Sequence, residues 1–427
     1  MNRRVALFAR AVGVLGAFTV AVAVTACSQQ LTEGNACPQL CASEQVNVLD
    51  TTIDAIEVDT SITGFPTIGS ENFLLLASQG DTLQTRVIIR YDTLPTTYHN
   101  VTANADSTIQ HVDSSQLNVR IVAPSSPPKA PFTIEVYNVD TTATDTAAAP
   151  VLALFRPDRF LGARTFQASD SIKDTLKVPI SNVAVLRAIT NGTHLRVGLK
   201  LVSSISQQLK LTAVGLGTPT TLSFRATADT ATARINVTPV SSTPADPSFL
   251  KDPLEDYVVV AQGNVATPPQ RIAVGGIPAS RAYFRFKIPP KIVDSSTVIR
   301  ATLVLSQAPN LNSPNSKDTL TIRAVPVLAS FRITDIETAL GFLSSATIDT
   351  LRTVPADSGE RRMEMVNIVR SWKGSDTTLT PQAISILSNL ETESGSRVLF
   401  YSRAASPPSV RPRLILTYVP QVTLGLP

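Results

Sequence analysis

An ordered series of repeated segments constrains the fold more than any other feature of this sequence. The stretch ENFLLLASQG at 71–80 returns as EDYVVVAQG at 255–263. An alternating segment with two arginines and a closing proline follows each one, TRVIIRYDTLP at 85–95 and SRAYFRFKIPP at 280–290. Because the matches occur in the same order, they indicate two copies of one module, each with ENFLLLASQG or its counterpart as an early core strand.

The series continues downstream as further strand-like segments. HVDSSQLNVRIV at 111–122 corresponds to IVDSSTVIRATLVL at 292–305, and FTIEVYNV at 132–139 corresponds to LTIRAVPV at 320–327. Both copies then close with three more alternating segments, HLRVGLKLV, QLKLTAV and TTLSFRAT in the first and AISILSNL, RVLFYSRA and PRLILTYV in the second. Apolar residues at every second position predict strands with one buried and one solvated face.

The segment HLRVGLKLV at 194–202 shows this alternation most clearly. Its odd-numbered positions are apolar, and Arg196 and Lys200 occupy the alternate face. We therefore expect both charged side chains in water. Most other arginines also sit singly in alternating stretches, and for them the same solvated position is expected.

Turn residues and proline content predict an all-β protein. The chain has 427 residues and 30 prolines, which would interrupt most helices. Short strands bounded by Pro, Gly, Asn, Asp and Ser are typical of antiparallel sandwiches. We predict two tandem antiparallel β-sandwich domains of jelly-roll type, at 47–229 and 230–420, with short helices at 366–374 and 335–343.

The N-terminus resembles a bacterial lipoprotein signal with its lipobox. MNRR is followed by an apolar run and by VTAC at 24–27. The resemblance implies a signal peptide at 1–26, lipidation (palmitate) of Cys27 and a tether at 27–46. Ser28 stands where an Asp would retain the protein in the inner membrane, which favours the outer membrane of the cell envelope. A secretory signal cut elsewhere and an uncleaved anchor are the alternatives.

Two cysteines remain once Cys27 carries lipid. Cys37 and Cys41 stand in CPQLC, and export places them in a compartment that permits disulfides. A C-x3-C pair is also half of a metal site, but no second Cys/His pair accompanies it. A small disulfide near the tether is the favoured prediction.

The second copy resembles the DNRLRE-type module. The resemblance rests on SRAYFRFKIP, TVIRATLVLSQA, MEMVNIVRSWKG and RVLFYSRAASPPSVRPRLILTYV, spans most of 253–420, and extends more faintly over about 47–228. It implies a β-sandwich of secreted and surface proteins of bacteria and archaea, similar in shape to carbohydrate-binding modules. The central segment lacks the Trp-Thr-Glu type of signature, so no ligand residue is carried over.

Catalytic chemistry finds little support in the sequence. The three histidines, His99, His111 and His194, all lie in the first copy, and no G-x-S-x-G surrounds a serine. Glu71 with Asp92 and Glu255 with Asp256 are the acid pairs that a glycosidase could use, but adjacent acids on a strand point to opposite faces, and acids at strand starts are typical of a solvated surface. Calcium-binding and phosphate-binding loop motifs are absent, so the sequence predicts no catalytic residue, metal or cofactor.

Binding is the remaining class of function. The net charge of +4 is spread out without a basic cluster, which gives no support to a nucleic-acid partner. Trp372 is a possible ligand-binding aromatic, but packing of the 366–374 helix against the sandwich is the favoured interpretation of this residue. Other exposed-ring candidates are Tyr98, Tyr257, Tyr283 and Tyr401, of which Tyr257 and Tyr283 fit core positions better.

The resulting prediction is a non-enzymatic outer-membrane lipoprotein. Its tandem modules would serve envelope structure, adhesion or binding, with the membrane as partner through the N-terminal lipid and a glycan or another envelope protein as ligand. The alternative is a carbohydrate-binding accessory protein of a polysaccharide-handling system.

Overall fold

Antiparallel strands form the framework of the protein. The computed structural model describes residues 47–421 apart from short gaps at 55, 66–67, 70, 124–127, 142–147, 243–253, 264–265, 314–315, 330–331, 345–348, 375–380 and 390. The strands up to residue 242 are β1 (Leu49–Ile53), β2 (Ile56–Gly64), β3 (Phe73–Gln79), β4 (Leu83–Tyr91), β5 (Thr97–Asn100), β6 (Ala105–Thr108), β7 (Asp113–Arg120), β8 (Phe132–Asn138), β9 (Phe160–Phe166), β10 (Thr175–Pro179), β11 (Leu195–Ser203), β12 (Gln207–Thr212), β13 (Thr221–Arg225) and β14 (Ile235–Val237).

The later part of the chain adds ten strands. They are β15 (Asp256–Gln262), β16 (Arg271–Gly275), β17 (Ala279–Phe286), β18 (Ser296–Ala308), β19 (Leu320–Pro326), β20 (Thr350–Thr353), β21 (Gly359–Glu364), β22 (Ala383–Ser388), β23 (Arg397–Tyr401) and β24 (Arg413–Pro420). This all-β architecture confirms the predicted fold class, and the predicted closing segments of both copies all form strands.

Helices are short and lie between strands. They are α1 (Ala148–Leu152), α2 (Asn182–Asn191), α3 (Pro290–Val293), α4 (Ile336–Leu340) and α5 (Val366–Ser371), with 3-10 turns at Pro157–Arg159, Val214–Leu216 and Pro408–Val410. The two predicted helices are confirmed as α4 and α5. The longest helix, α2, was missed, although Ser181 caps its N-terminus and Gly192 ends it in the left-handed conformation at φ 60°.

Two large apolar cores organise the sheets. The first lies between a seven-stranded sheet with β12-β3-β4-β11-β8-β9 as its main path and a four-stranded sheet ordered β10-β7-β13-β14. The second is enclosed by an eleven-stranded sheet whose main path is β1-β24-β18-β23-β16-β17-β22-β19-β20. The chain from Val48 onward clusters as one unit that contains both cores.

Strands cross between the two cores in both directions. β15 pairs antiparallel with β4 in the first sheet, from Asp256 opposite Ile89 to Gln262 opposite Gln84. In the opposite direction, β2 pairs with β17 in the second sheet along Ala279–Phe286, and β1 pairs with β24. The domain boundaries at 47–229 and 230–420 stay predictions. Each of these three strands pairs with a strand that belongs to the other predicted domain.

This exchange corrects the placement of the opening repeat. ENFLLLASQG forms β3 and EDYVVVAQG forms β15, and both strands lie in the first sheet. The strand that corresponds to β3 in the second sheet is β16, since β3 joins β4 and β12 as β16 joins β17 and β23. The residue pattern alone could not reveal this, because β2 and β15 are donated across the molecule.

Several strand arginines are buried, which overturns their expected exposure, whereas others such as Arg300 stay mostly exposed. Arg196 is 6% exposed and Arg90 is 1% exposed. Phe155 lies under Arg86, with the guanidinium carbon 5.7 Å from the ring centroid. Lys200 is half-buried, and its ammonium lies 2.8 Å from Glu135.

Candidate functional site

The residues that the sequence singled out do not form a site in the described part of the chain. Cys27, Cys37 and Cys41 lie outside the described residues. Trp372 is 3% exposed, and its ring centroid lies 6.2 Å from that of Phe286 in the second core. A ring covered in this way cannot stack on a sugar, so its role is to pack α5 against the sheet, which was the favoured interpretation.

The other aromatic candidates divide by burial. Tyr257 and Tyr283 are both buried, as their core assignment predicted. Tyr98 and Tyr401 are partly exposed, and Tyr401 lies under Arg271, with the guanidinium carbon 3.6 Å from the ring centroid. The sequence reasoning overlooked Phe160, which is 47% exposed.

Two acids expected at the surface are buried instead. Asp256 is 3% exposed and accepts a hydrogen bond from the Val214 backbone N–H at 2.9 Å. Glu71 is 7% exposed; its Oε2 accepts from the Gly69 backbone N–H at 2.8 Å, and its Oε1 has no partner among the described atoms. Burial raises the pKa of each carboxyl to about 7, with repulsion from Glu393 as a smaller cause for Glu71 and repulsion from Glu71 and Glu255 as a smaller cause for Asp256.

These acids and the histidines do not build a metal centre. No group of three or more His, Cys, Asp or Glu side chains within the described ranges is arranged to hold a metal ion. His99 lies on the exposed β5–β6 hairpin, with its Nδ1 3.4 Å from Asp106.

A surface cleft lies beside the first core. It has a volume of about 390 Å³ and lies where β8 ends, β9 begins and the N-terminus of α2 approaches. Ten residues line it: Asn138, Asp140, Asp158, Arg159, Phe160, Leu161, Ser181, Val183, Ala184 and Arg187. This volume falls within the range of ordinary ligand pockets, roughly 300–1,000 Å³.

The partly exposed ring of Phe160 packs against Tyr137, which is itself held in place. It meets Tyr137 edge to face, with centroids 5.7 Å apart at 75°, and Tyr137 contacts Phe155 at 5.3 Å. Tyr137 is held in turn because its hydroxyl donates to Glu135 at 2.9 Å. Burial and this hydrogen bond raise the pKa of Tyr137 to about 12, so the hydroxyl keeps its proton.

Backbone hydrogen bonds hold the cleft walls in place. Arg159 donates through Nη1 to the carbonyl oxygen of Asp140 at 2.8 Å, and Asn138 accepts the Asp140 N–H at 3.0 Å. Across the cleft, Ser181 accepts the Ala184 N–H at 3.3 Å and so fixes the first turn of α2. The side chains of Asp140, Asp158 and Arg187 line this fixed frame.

The cleft combines a partly exposed aromatic ring with acidic and basic side chains. A flat aromatic ring can cover the apolar face of a sugar at little cost in side-chain entropy. Carboxylates accept hydrogen bonds from hydroxyl groups, and a guanidinium donates to them. The arrangement suits a neutral polyhydroxylated ligand better than a purely apolar one.

A second pocket lies on the outer face of the second sheet. It is lined mainly by apolar residues, including Val58, Val327 and Ile333, with Arg285 and Arg332 among its lining. Its volume is about 120 Å³, well below the size of ordinary ligand sites. The first cleft is therefore the stronger candidate.

Comparisons with known proteins leave the family open. No family model matches the chain, and no curated protein matches it. Among solved structures, it is similar to the VP2 subviral particle of infectious bursal disease virus, with 9% identity over 87% of this chain and 79% of that chain and a TM-score of 0.11. A capsid structure of broad bean stain virus aligns at 8% identity over 92% of this chain and 98% of that chain, with a TM-score of 0.18.

One similar structure contains carbohydrate-binding modules. The CBM22 tandem domain from Paenibacillus barcinonensis aligns at 10% identity over 87% of this chain and 99% of that chain, with a TM-score of 0.15. TM-scores at this level carry no argument about function. Within the described residues, no helix has the length and apolar character needed to cross a membrane.

Proposed function

We propose that this protein is a non-catalytic lipoprotein of the outer membrane that binds a ligand at the cell envelope. The lipobox-like VTAC at 24–27 supports the anchoring, and the cleft at Phe160 supports the binding. Structural and adhesive roles at the cell envelope would require the same lipid anchor. The cleft is the observation that distinguishes a binding role, because it presents an exposed ring on a fixed frame.

A glycan is the ligand that the cleft chemistry favours. Phe160 is 47% exposed, and acids, an amide and arginines line the same cleft. This combination matches the apolar face and the hydroxyl rim of a sugar. On this proposal the protein serves as a carbohydrate-binding component of a polysaccharide-handling system.

The binding proposal is tested with a glycan array and the lipid-free chain carrying Cys27→Ser. We expect binding to a defined glycan and a loss of about fivefold or more in affinity in Phe160→Ala, since covering the exposed part of one aromatic ring contributes on the order of 1 kcal/mol. The matched control is Leu328→Ala, which trims another exposed apolar residue (51% exposed) away from the cleft. Equal binding by both variants would move the site elsewhere, and a silent array would favour adhesion or scaffolding.

The anchoring proposal has a separate test. Cells that express the full chain are labelled with a radioactive fatty acid, and membranes are fractionated. We expect Cys27→Ser to abolish labelling, while Cys41→Ser keeps it. Label retained in Cys27→Ser would show that the lipobox assignment is wrong, and label confined to the inner membrane would contradict the proposed location.

A further inference from the structure

The two cores exchange strands at corresponding places. The repeated segments at 85–95 and 280–290 supply β4 and β17, which hold the same position in the two sheets. Beside β4 lies β15 from the later part of the chain, and beside β17 lies β2 from the earlier part. Each half of the chain therefore lacks a strand of its own at the position that the other half fills.

The donated strands carry core residues. Val258 of β15 is 3% exposed and belongs to the first core. On the other face of the same sheet, Tyr257 and Val259 pack with apolar residues of α1. From the other direction, Ile53 and Ile56 are buried in the second core. Withdrawing a strand would expose this apolar surface and unpair one edge of the acceptor strand.

Side chains fasten both donated strands. On β15, Asp256 accepts the Val214 backbone N–H at 2.9 Å and Gln262 donates to the carbonyl oxygen of Asp81 at 3.2 Å. Arg403 donates to the backbone carbonyls of Ile56 and Glu57 and lies 3.2 Å from Asp59, and the Ala273 N–H donates to Ser61 at 2.6 Å. Beyond the strands, Ile277 of the later half packs with Leu75, Ala77 and Leu83 of the earlier half.

Both ends of the connection between the halves lie beside the end of β4. The Arg90 backbone N–H donates to the carbonyl oxygen of Glu255, and the Arg90 carbonyl oxygen accepts from the Val240 N–H, each at 2.9 Å. Asp92 also accepts hydrogen bonds from the Ser242 N–H and hydroxyl at 2.9 and 2.8 Å. The chain thus leaves and returns beside the same strand end, which a short connection within one molecule can span.

We propose that the two halves of this chain, up to Ser242 and from Leu254, are obligate binding partners, each acting as the strand donor of the other. The interaction surface is the open edge of β4 in one half and of β17 in the other, and the partner that fits it is the complementary half of the same chain. Strand addition of this kind supplies affinity through main-chain hydrogen bonds and specificity through alternate side chains. The halves consequently hold together without the covalent connection.

A cut chain tests this directly. A recognition sequence for a specific protease is placed within 243–253 of the full chain carrying Cys27→Ser, and the purified protein is cleaved. We expect both pieces to elute together at the mass of the uncut monomer, to separate in denaturant and to reassemble when it is removed. Two separate folded pieces would overturn the proposal, and so would a particle of twice the mass, since a second copy would then supply the strands.

Variants of the donated strand provide the second readout. In Val258→Ala the uncut chain keeps its connection, so its fold is retained while the contact of β15 with the first core weakens. We expect the cut pieces of this variant to separate at a clearly lower denaturant concentration than the cut parent. The matched control is Val202→Ala on β11, since Val202 is exposed. Equal separation of both variants would show that β15 does not hold the halves together.

Discussion

Buried charges are the features of this protein that act at the scale of single residues. Asp92 and Arg196 form a paired salt bridge with both contacts at 2.8 Å, and Asp92 also receives two hydrogen bonds from Ser242. Burial by itself would raise the pKa of Asp92, but the hydrogen bonds from Arg196 and Ser242 outweigh it and lower the pKa to about 2. Glu71 and Asp256 lack such cations, and their pKa values move in the opposite direction.

Asp92→Asn should destabilise the protein substantially. The change removes the carboxylate that contacts the buried Arg196 at 2.8 Å, while Asp140 stays at 3.7 Å, and breaking such a buried pair typically costs about 3–5 kcal/mol. The control is Asp158→Asn, which removes an ion pair with Arg156 in which both side chains are more than half exposed and should cost under about 1 kcal/mol. Urea unfolding at pH 7 measures both, and equal losses would contradict the role of the buried pair.

The pH dependence of stability should differ in sign between these acids. The lowered pKa of Asp92 contributes stability above pH 4 that is lost as the pH falls toward 2. For Glu71, the raised pKa means that the folded chain holds a proton that the unfolded chain releases. Its contribution is therefore complete below about pH 4.5 and is lost as the pH rises to about 7.

Glu71→Gln isolates the second effect. We expect the free energy of unfolding to fall less between pH 5 and pH 8 than in the parent, by on the order of 3 kcal/mol, because the ionisable group is gone. Glu57→Gln is the control, since Glu57 is exposed on β2. The measurement is urea unfolding at both pH values, and the interpretation fails if both variants keep the parental pH dependence.

At the scale of elements, local signals explain where strands and helices end. The Gln79–Gly80 end of β3 and the Gln262–Gly263 end of β15 follow the predicted pattern, with both glycines at positive φ. The helix α2 likewise has a cap at each end. Apolar alternation does not indicate a helix, whereas Ser181 and Gly192 are residues typical of helix caps and could have indicated this one.

Ser181→Ala tests the N-terminal cap of α2. The hydroxyl accepts the Ala184 N–H, and losing this bond should cost about 1 kcal/mol of unfolding free energy. The control Ser204→Ala changes an exposed serine after β11. Chemical denaturation measures the difference, and Ser181→Gly should recover most of the loss, because glycine is tolerated at this position.

At the scale of the whole molecule, the exchanged strands and the packing of Ile277 couple the two cores. Lys210 of β12 also lies 3.4 Å from Glu393, which belongs to the loop between β22 and β23. These contacts mean that neither core can lose its sheet edge without disturbing the other. The predicted picture of two modules in series does not include this coupling.

The coupling predicts a single calorimetric unfolding transition. Ile277→Ala removes packing between the earlier and later halves and should cost about 2–5 kcal/mol, so its transition should broaden or split. The control is Ile299→Ala, which trims an isoleucine that is 47% exposed. Two well-separated transitions in the parent protein would contradict the coupling.

The sequence by itself determined the fold class, the fourteen strands in the repeated and closing segments and two helices, because alternation, turn residues and helical spacing are local properties; it did not indicate β1, β2, β9, β10 or β16. It could not locate the cleft, since Phe160 shows its exposure only once α2 and the end of β8 are placed beside it. The same limit applies to Arg196, Asp256 and Trp372, whose burial depends on segments far away in the chain. Only the tertiary structure decided which sheet receives β2 and β15, because any alternating strand can pair with several edges and the choice depends on long-range packing.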